Sequence, residues 1–187
     1  MPRPKLIAFL RAINVGGHNV TMEALRTLFE SLGLKDVETF IASGNVIFTP
    51  PATPIGTLQQ KIEDRLGRSL GYEVKTFLRT DAEVAAISRH RPFKDADVKS
   101  AGAFNVGFLA QPLSAAARKS LMALKTELDD LHLNGRELYW LSRVKQSESK
   151  FSNALFERTL KVRATFRGVN TVARLAAKYS LSPADVG

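Results

Sequence analysis

The apolar residues of this chain change period in a fixed order, and the order is met twice: strand-like run, helical stripe, two strand-like runs, helical stripe, strand. In the first half, Lys5 to Arg11 is a short apolar run. Thr21 is placed to cap a helix that carries Met22, Leu25, Phe29 and Leu32 at helical spacing, with Gly33 beyond its end. Val37 to Ile41 and Asn45 to Thr49 read as strands around Ala42-Ser43-Gly44, Ile55 to Leu66 is amphipathic, and Tyr72 to Leu78 reads as a closing strand. In the second half, Ala103 to Leu109 alternates, and Ser114 precedes a stripe of Ala117, Leu121, Leu124 and Leu128. Leu131 to Leu138 is a hairpin with Asn134-Gly135 suited to a type I′ turn. A helix over Ser149 to Leu160, a strand over Val162 to Phe166 and a helix over Thr171 to Tyr179 complete it.

Such an order predicts an α+β protein of two tandem ferredoxin-like β-α-β-β-α-β subdomains, each an antiparallel sheet with helices on one face. The expected boundaries are 1–80 for the first subdomain and 81–102 for a connector with a short helix capped by Asp81. The second subdomain with its terminal helix then takes 103–187. The halves share element order and no evident sequence identity.

With 187 residues the chain is long enough to bury a core without staples. It has no cysteine, which excludes disulfides, thiolate metal sites and a cysteine nucleophile. The apolar run near the N-terminus, Leu6 to Leu10, ends at Arg11 and is too short for a secretory signal or a membrane span. These features lead to the expectation of a cytoplasmic protein with no membrane partner, a monomer rather than an oligomer. The net charge is +9, and +7 of it falls between Arg136 and Lys178, where ten Lys or Arg face three acids. Charge of this kind speaks to partners rather than to fold, and fits either an anionic partner or a solvated surface that keeps the protein soluble.

Among candidate sites, Arg163 to Thr171 stands first. If Asn170 caps the last helix, free N–H groups point outward beside Arg163 and Arg167, with Thr165 and Thr171 adding hydroxyls. The alternative is that Asn170 is a cap and Arg167 pairs with a carboxylate. The turn Asn14 to Asn19 is a second place where backbone N–H groups can gather around an anion, with Arg11, Asn14 and His18 as polar contacts. It has neither the Gly-Lys-Ser/Thr ending of a phosphate-binding loop nor a dinucleotide fingerprint, and a plain connecting turn explains it as well. Ser43, Gly44 and Asn45 read as a hairpin turn. Ser43 would serve as a nucleophile only beside a base, and the histidines are three, His18, His90 and His132. None of these has metal-ligand spacing with another His, Asp or Glu, so no metal is expected, and no cofactor is implied. Glu63-Asp64 and Asp129-Asp130 each read as a solvated helix face or turn, Phe104, Val106 and Phe108 as core, and of Tyr139 and Trp140, on opposite faces of a strand, one is expected outside.

The blocks LRAINVGG (10–17), Met22-Glu23-Ala24-Leu25, FIASGNVIF (40–48), Pro92-Phe93, Ser149-Lys150 and TFRGVNT (165–171) together resemble the bacterial domain-of-unknown-function 1697 family over nearly the whole chain. The resemblance implies a double ferredoxin-like α+β protein and brings no established activity. Ala12 stands where the family usually has glycine, and Gly168 and Val169 where an Asn-Trp pair is common.

Three readings follow. The first is an anion-binding protein with a nucleic acid or nucleotide as partner, through Arg11, Asn14, Ser43, Asn45, Lys150, Arg163, Thr165, Arg167, Asn170 and Thr171. The second is an enzyme on a small phosphorylated or carboxylated metabolite held between the subdomains. The third is a structural or protein-interaction module without a ligand. No nucleophile, general base and oxyanion donor can be named together, so catalysis has the least support.

Overall fold

In a computed structural model of the chain, residues 3–14, 16–41 and 44–180 are described. They form β1 (Leu6–Leu10), α1 (Met22–Glu30), β2 (Lys35–Thr39), β3 (Asn45–Thr49), α2 (Ile55–Leu70), β4 (Thr76–Thr80), α3 (Asp81–Arg89) and α4 (Asp95–Ser100). Then come β5 (Ala103–Leu109), α5 (Ala115–Met122), β6 (Asp129–Asn134), β7 (Glu137–Ser142), α6 (Asn153–Leu160), β8 (Ala164–Gly168) and α7 (Val169–Tyr179). The chain divides into two compact units, residues 1–86 with 173–187, and residues 87–172. Residues of α7 from 173 onward therefore group with the first unit.

Each unit holds a four-stranded antiparallel sheet, ordered β2-β3-β1-β4 in the first and β6-β7-β5-β8 in the second. The two orders are the same arrangement, and the α+β, ferredoxin-like expectation is met. Alternation of side chains along a strand explains which face takes the helices. In the first unit Leu6, Ala8, Leu10, Val46, Phe48 and Leu78 pack with Leu25 and Phe29 of α1 and Leu58, Ile62 and Leu66 of α2. In the second, Leu109, Leu131, Leu138, Trp140 and Ala164 pack with Leu121 of α5 and Phe156 of α6.

Local chemistry starts the helices where the sequence places it. Thr21 Oγ1 accepts from Ala24 N at 3.0 Å, and Ser114 Oγ from Ala117 N at 3.2 Å. Several boundaries differ from expectation. The β6–β7 register pairs Asn134 with Glu137, which makes Gly135 and Arg136 the turn residues. Positive φ falls at Gly135 (+61°) and not at Arg136, the pattern of a type II′ rather than a type I′ turn. Asn134 is spent as the last strand residue. Helix α5 stops at Met122 and Leu128 is 43% exposed, so the Ala117-to-Leu128 stripe is cut short by the approach to β6. Tyr139 and Trp140 are both buried, at 1% exposure each.

Ala12 adopts φ +63°, a left-handed conformation that costs an L-residue about 1–2 kcal/mol. Glycine, the residue the family resemblance leads one to expect there, carries no such cost. Ala12→Gly should stabilise the protein by about 0.5–1 kcal/mol after the extra chain entropy of glycine is subtracted. A urea midpoint unchanged or lowered by this substitution would show that the loop gains nothing from a glycine.

Candidate functional site

Helix α6 begins at Ser152, whose Oγ accepts from Leu155 N at 3.1 Å, and buries Phe156 in the second unit's core. It ends at Lys161, which takes φ +57° and whose N–H donates to Glu157 O at 2.9 Å. A lysine in this left-handed C-terminal position is held against its preference. The chain then turns through Arg163 into β8. Between helix and strand lies an open groove of about 570 Å³ lined by Ala154, Glu157, Arg158, Lys161, Val162 and Arg163. Arg158, Lys161 and Arg163 are exposed.

The one acid in that lining is already committed. Glu157 Oε2 accepts from Ala164 N at 3.0 Å, and its Oε1 lies 3.6 Å from Arg163 Nη1. Its side chain is 8% exposed against 55% for Arg163. The groove thus sets three cationic side chains against one carboxylate, a net charge of +2, with Arg163 paired to Glu157 and Arg158 and Lys161 exposed beside that pair.

The approach to α6 is fixed by Asp129. Its Oδ1 accepts from Trp140 Nε1 at 2.9 Å and from Ser149 Oγ at 2.6 Å, and its Oδ2 from Thr126 Oγ1 at 3.0 Å. Ser149 Oγ in turn accepts from Phe151 N at 3.0 Å. Burial by itself would raise the Asp129 carboxyl. The bonds from Ser149, Trp140, Ser142 and Thr126 together outweigh it and hold the group below the usual carboxylate range. Asp129 is 1% exposed, where the sequence leads one to expect a solvated helix face or turn. The fold gives it the opposite place, because β6 starts there and turns the residue onto the helix-facing side.

The residues named from sequence are distributed as follows. Lys150, Arg163 and Asn170 are exposed and Thr171 is half-buried. Thr165 and Arg167 are buried, at 5% and 7% exposure. Arg167 Nη1 donates to Thr165 Oγ1 at 2.8 Å and to Phe166 O at 2.9 Å. Desolvation lowers its guanidinium to about 10. Strand β8 runs directly into α7 at Val169, so Asn170 lies inside the first turn and is not its cap. The expected gathering of Arg163 and Arg167 beside a capped helix end is therefore not what these elements form: one guanidinium is outside and the other is folded back on its own strand.

In the first unit, Arg11 is half-buried and its N–H donates to Lys75 O at 2.9 Å. Asn14, at φ +57°, accepts from Val20 N through Oδ1 at 2.7 Å. Asn45 is fully buried and donates through Nδ2 to Phe40 O at 2.9 Å. Leu10 N donates to Gly44 O at 2.9 Å, so the two glycine-bearing blocks meet. Ser43 lies outside the described residues. Both asparagine side chains bond the backbone of their own loops.

Sequence reading missed Arg79. It is 1% exposed, stands fourth in β4 as Arg167 stands fourth in β8, and donates through Nη1 to Leu78 O at 2.9 Å. The register sets Arg79 opposite Ile7 and Arg167 opposite Val106, each on an inner strand of its sheet. In the sequence each arginine is the first residue beyond the closing strand read there, Tyr72 to Leu78 and Val162 to Phe166, and the two strands in fact run two residues further. Among the described residues no three His, Cys, Asp or Glu come together as a metal cluster, and no helix is long and apolar enough to cross a membrane.

The family model described as "Protein of unknown function (DUF1697)" matches residues 4–139. The chain belongs to that family. The match takes in Asn14, Asn45 and Asp129 and stops before Lys150 and the α6–β8 groove. A solved structure, that of conserved bacterial protein SP0830 from Streptococcus pneumoniae, is similar with a TM-score of 0.71 and 22% identity, over 92% of this chain and 96% of that one. At that identity the likeness speaks to the fold. The curated proteins hold no match.

Proposed function

We propose that this member of the family binds a phosphate-bearing ligand, a nucleotide or a nucleic acid, through the basic face of its second unit. The observation that carries the reading is the lining of the α6–β8 groove, where Arg158, Lys161 and Arg163 share one open space and Glu157 is spent on Ala164 N and Arg163. The surrounding sequence supports it: residues 136–172, all in the second unit, carry eight Lys or Arg and three acids, a net +5, and of these cations only the buried Arg167 is turned away from solvent. A chain without cysteine suits work in the cytoplasm.

A plainer role for the same cations is to offset the helix dipole, since Arg158 lies in the last turn of α6 and Lys161 at its end. The backbone at Lys161 separates the two. Lys161→Gly should relieve the left-handed strain and raise stability by about 0.5–1 kcal/mol. If the ammonium also holds phosphate, binding of a labelled oligonucleotide or of a nucleoside triphosphate at low salt should weaken by about tenfold, the value of one charged hydrogen bond. Higher stability with undiminished binding would mean that Lys161 only ends the helix. Mononucleotide and oligonucleotide arms, compared at equal phosphate concentration, separate a nucleotide site from a strand-binding face.

A further inference from the structure

His90 follows α3 and His132 lies in the middle of β6, 42 residues apart in the chain and within the same unit. Their Nε2 atoms face each other at 3.4 Å. This spacing is wide for a hydrogen bond, since N–H donors usually sit within about 3.2 Å of their acceptors. It matches instead the edge of a tetrahedron: two imidazole nitrogens at about 2.0–2.1 Å from one ion stand about 3.4 Å apart. We infer that His90 and His132 form a two-imidazole site for a borderline divalent transition-metal ion such as Cu²⁺, Ni²⁺ or Zn²⁺.

The rings are held for this by aromatic neighbours. Tyr139 packs on His90 with centroids 5.0 Å apart and on His132 at 6.3 Å, and Phe93 meets His132 edge-on at 6.4 Å. Tyr139 is itself fixed by burial, 1% exposed with its hydroxyl 3.3 Å from Ile87 O. The two imidazoles therefore keep their mutual orientation before any ion arrives, which lowers the ordering cost of binding. Both are half-buried, so water or a ligand's own donor atoms can complete the coordination.

The nearby charges act in both directions. Arg89 and Arg91 flank His90 in the chain, and Lys125 is close enough to weigh on His132. The Lys125 ammonium is paired with Asp130 at 3.0 Å, which moderates its repulsion of a cation. With two protein ligands and no third acid or histidine among the described residues, raw imidazole affinity ranks Cu²⁺ above Ni²⁺ and Zn²⁺, while the tetrahedral spacing as it stands suits Zn²⁺, and tetragonal Cu²⁺ or Ni²⁺ draws the two nitrogens closer. Lack of spacing between the histidines in the sequence does not bear on a pair assembled by the fold. The site is independent of the α6–β8 groove, and its failure would leave the phosphate reading untouched.

The test is titration of the full chain with Cu²⁺ and Ni²⁺ at pH 7.5 by calorimetry, with electron paramagnetic resonance of the Cu²⁺ form. The wild type should take one ion per chain with two coupled imidazole nitrogens. His90→Gln and His132→Gln should each weaken binding at least tenfold and reduce the coupling to one nitrogen. His18→Gln should change neither, and metal-free melting should stay near wild type in all three. Equal affinity in His132→Gln and wild type, or a Cu²⁺ spectrum without the paired nitrogens, would overturn the assignment.

Discussion

Asp129→Ala should cost about 4 kcal/mol, because it leaves the Trp140 indole N–H and the Ser149 and Thr126 hydroxyls around a position that is 1% exposed without their common acceptor. For a chain of this length that corresponds to a melting temperature lower by roughly 8–16 °C. Trp140 is the single tryptophan and bonds Asp129 directly, so urea unfolding followed by its fluorescence reads the same unit in which the change is made. A loss under about 1 kcal/mol would mean that these donors, Ser142 among them, find other partners. The sign of the pH dependence follows from the lowered carboxyl. A carboxyl depressed in the folded state contributes stability that is present above its unfolded value, near pH 3.9, and is lost as pH falls through the folded value. The stability gap between wild type and Asp129→Ala should therefore be full at pH 6 and shrink as the pH is taken below about 3.9. A gap that widens with acid would contradict the assignment of the carboxylate as the stabilising form.

Gly102→Ala should cost about 3 kcal/mol by a different route. The residue leads into β5, and its N–H donates to Ser142 O at 2.8 Å. A Cβ built there would lie 2.3 Å from both the carbonyl carbon and oxygen of Val144 and 2.8 Å from Lys145 N. These are backbone atoms, which cannot swing aside as a side-chain tip can. The strand entry and the chain leaving β7 must separate, and the bond to Ser142 O weakens with them. Urea unfolding should show the loss with an unchanged m-value. A midpoint within experimental error of wild type would mean that the segment after β7 can retreat freely.

The sequence made the element order legible because period is a local property. Leu25 and Phe29 of α1, and Leu58, Ile62 and Leu66 of α2, repeat at helical spacing and do face the first unit's sheet. Ends were less legible where a competing partner decides them. Asn134-Gly135 is a good turn pair, yet pairing of Asn134 with Glu137 moves the turn on by one residue. Arg167 looks like a surface cation in a basic window, and its burial follows from which side of β8 it falls on, set by pairing with Val106. The acceptor role of Asp129 depends on Trp140 and on Ser149, 20 residues on, and the His90–His132 pair spans 42. Side chains gathered from such separations leave no periodic trace. Arg163 was named from sequence and lines the basic groove, while Arg158 and Lys161 entered only as charges in a window.

Phosphate binding at the α6–β8 groove is best measured as the salt dependence of affinity for a labelled single-stranded oligonucleotide, for wild type and for the Arg158→Ala, Lys161→Ala, Arg163→Ala triple variant. Each phosphate neutralised contributes about −0.7 to the slope of log K against log salt. Three cations acting together predict a slope in the triple variant shallower by about 2, with affinity at low salt largely lost. Equal slopes and equal affinities in the two proteins would show that the groove's charge is surface alone, and the proposed function would fall with it.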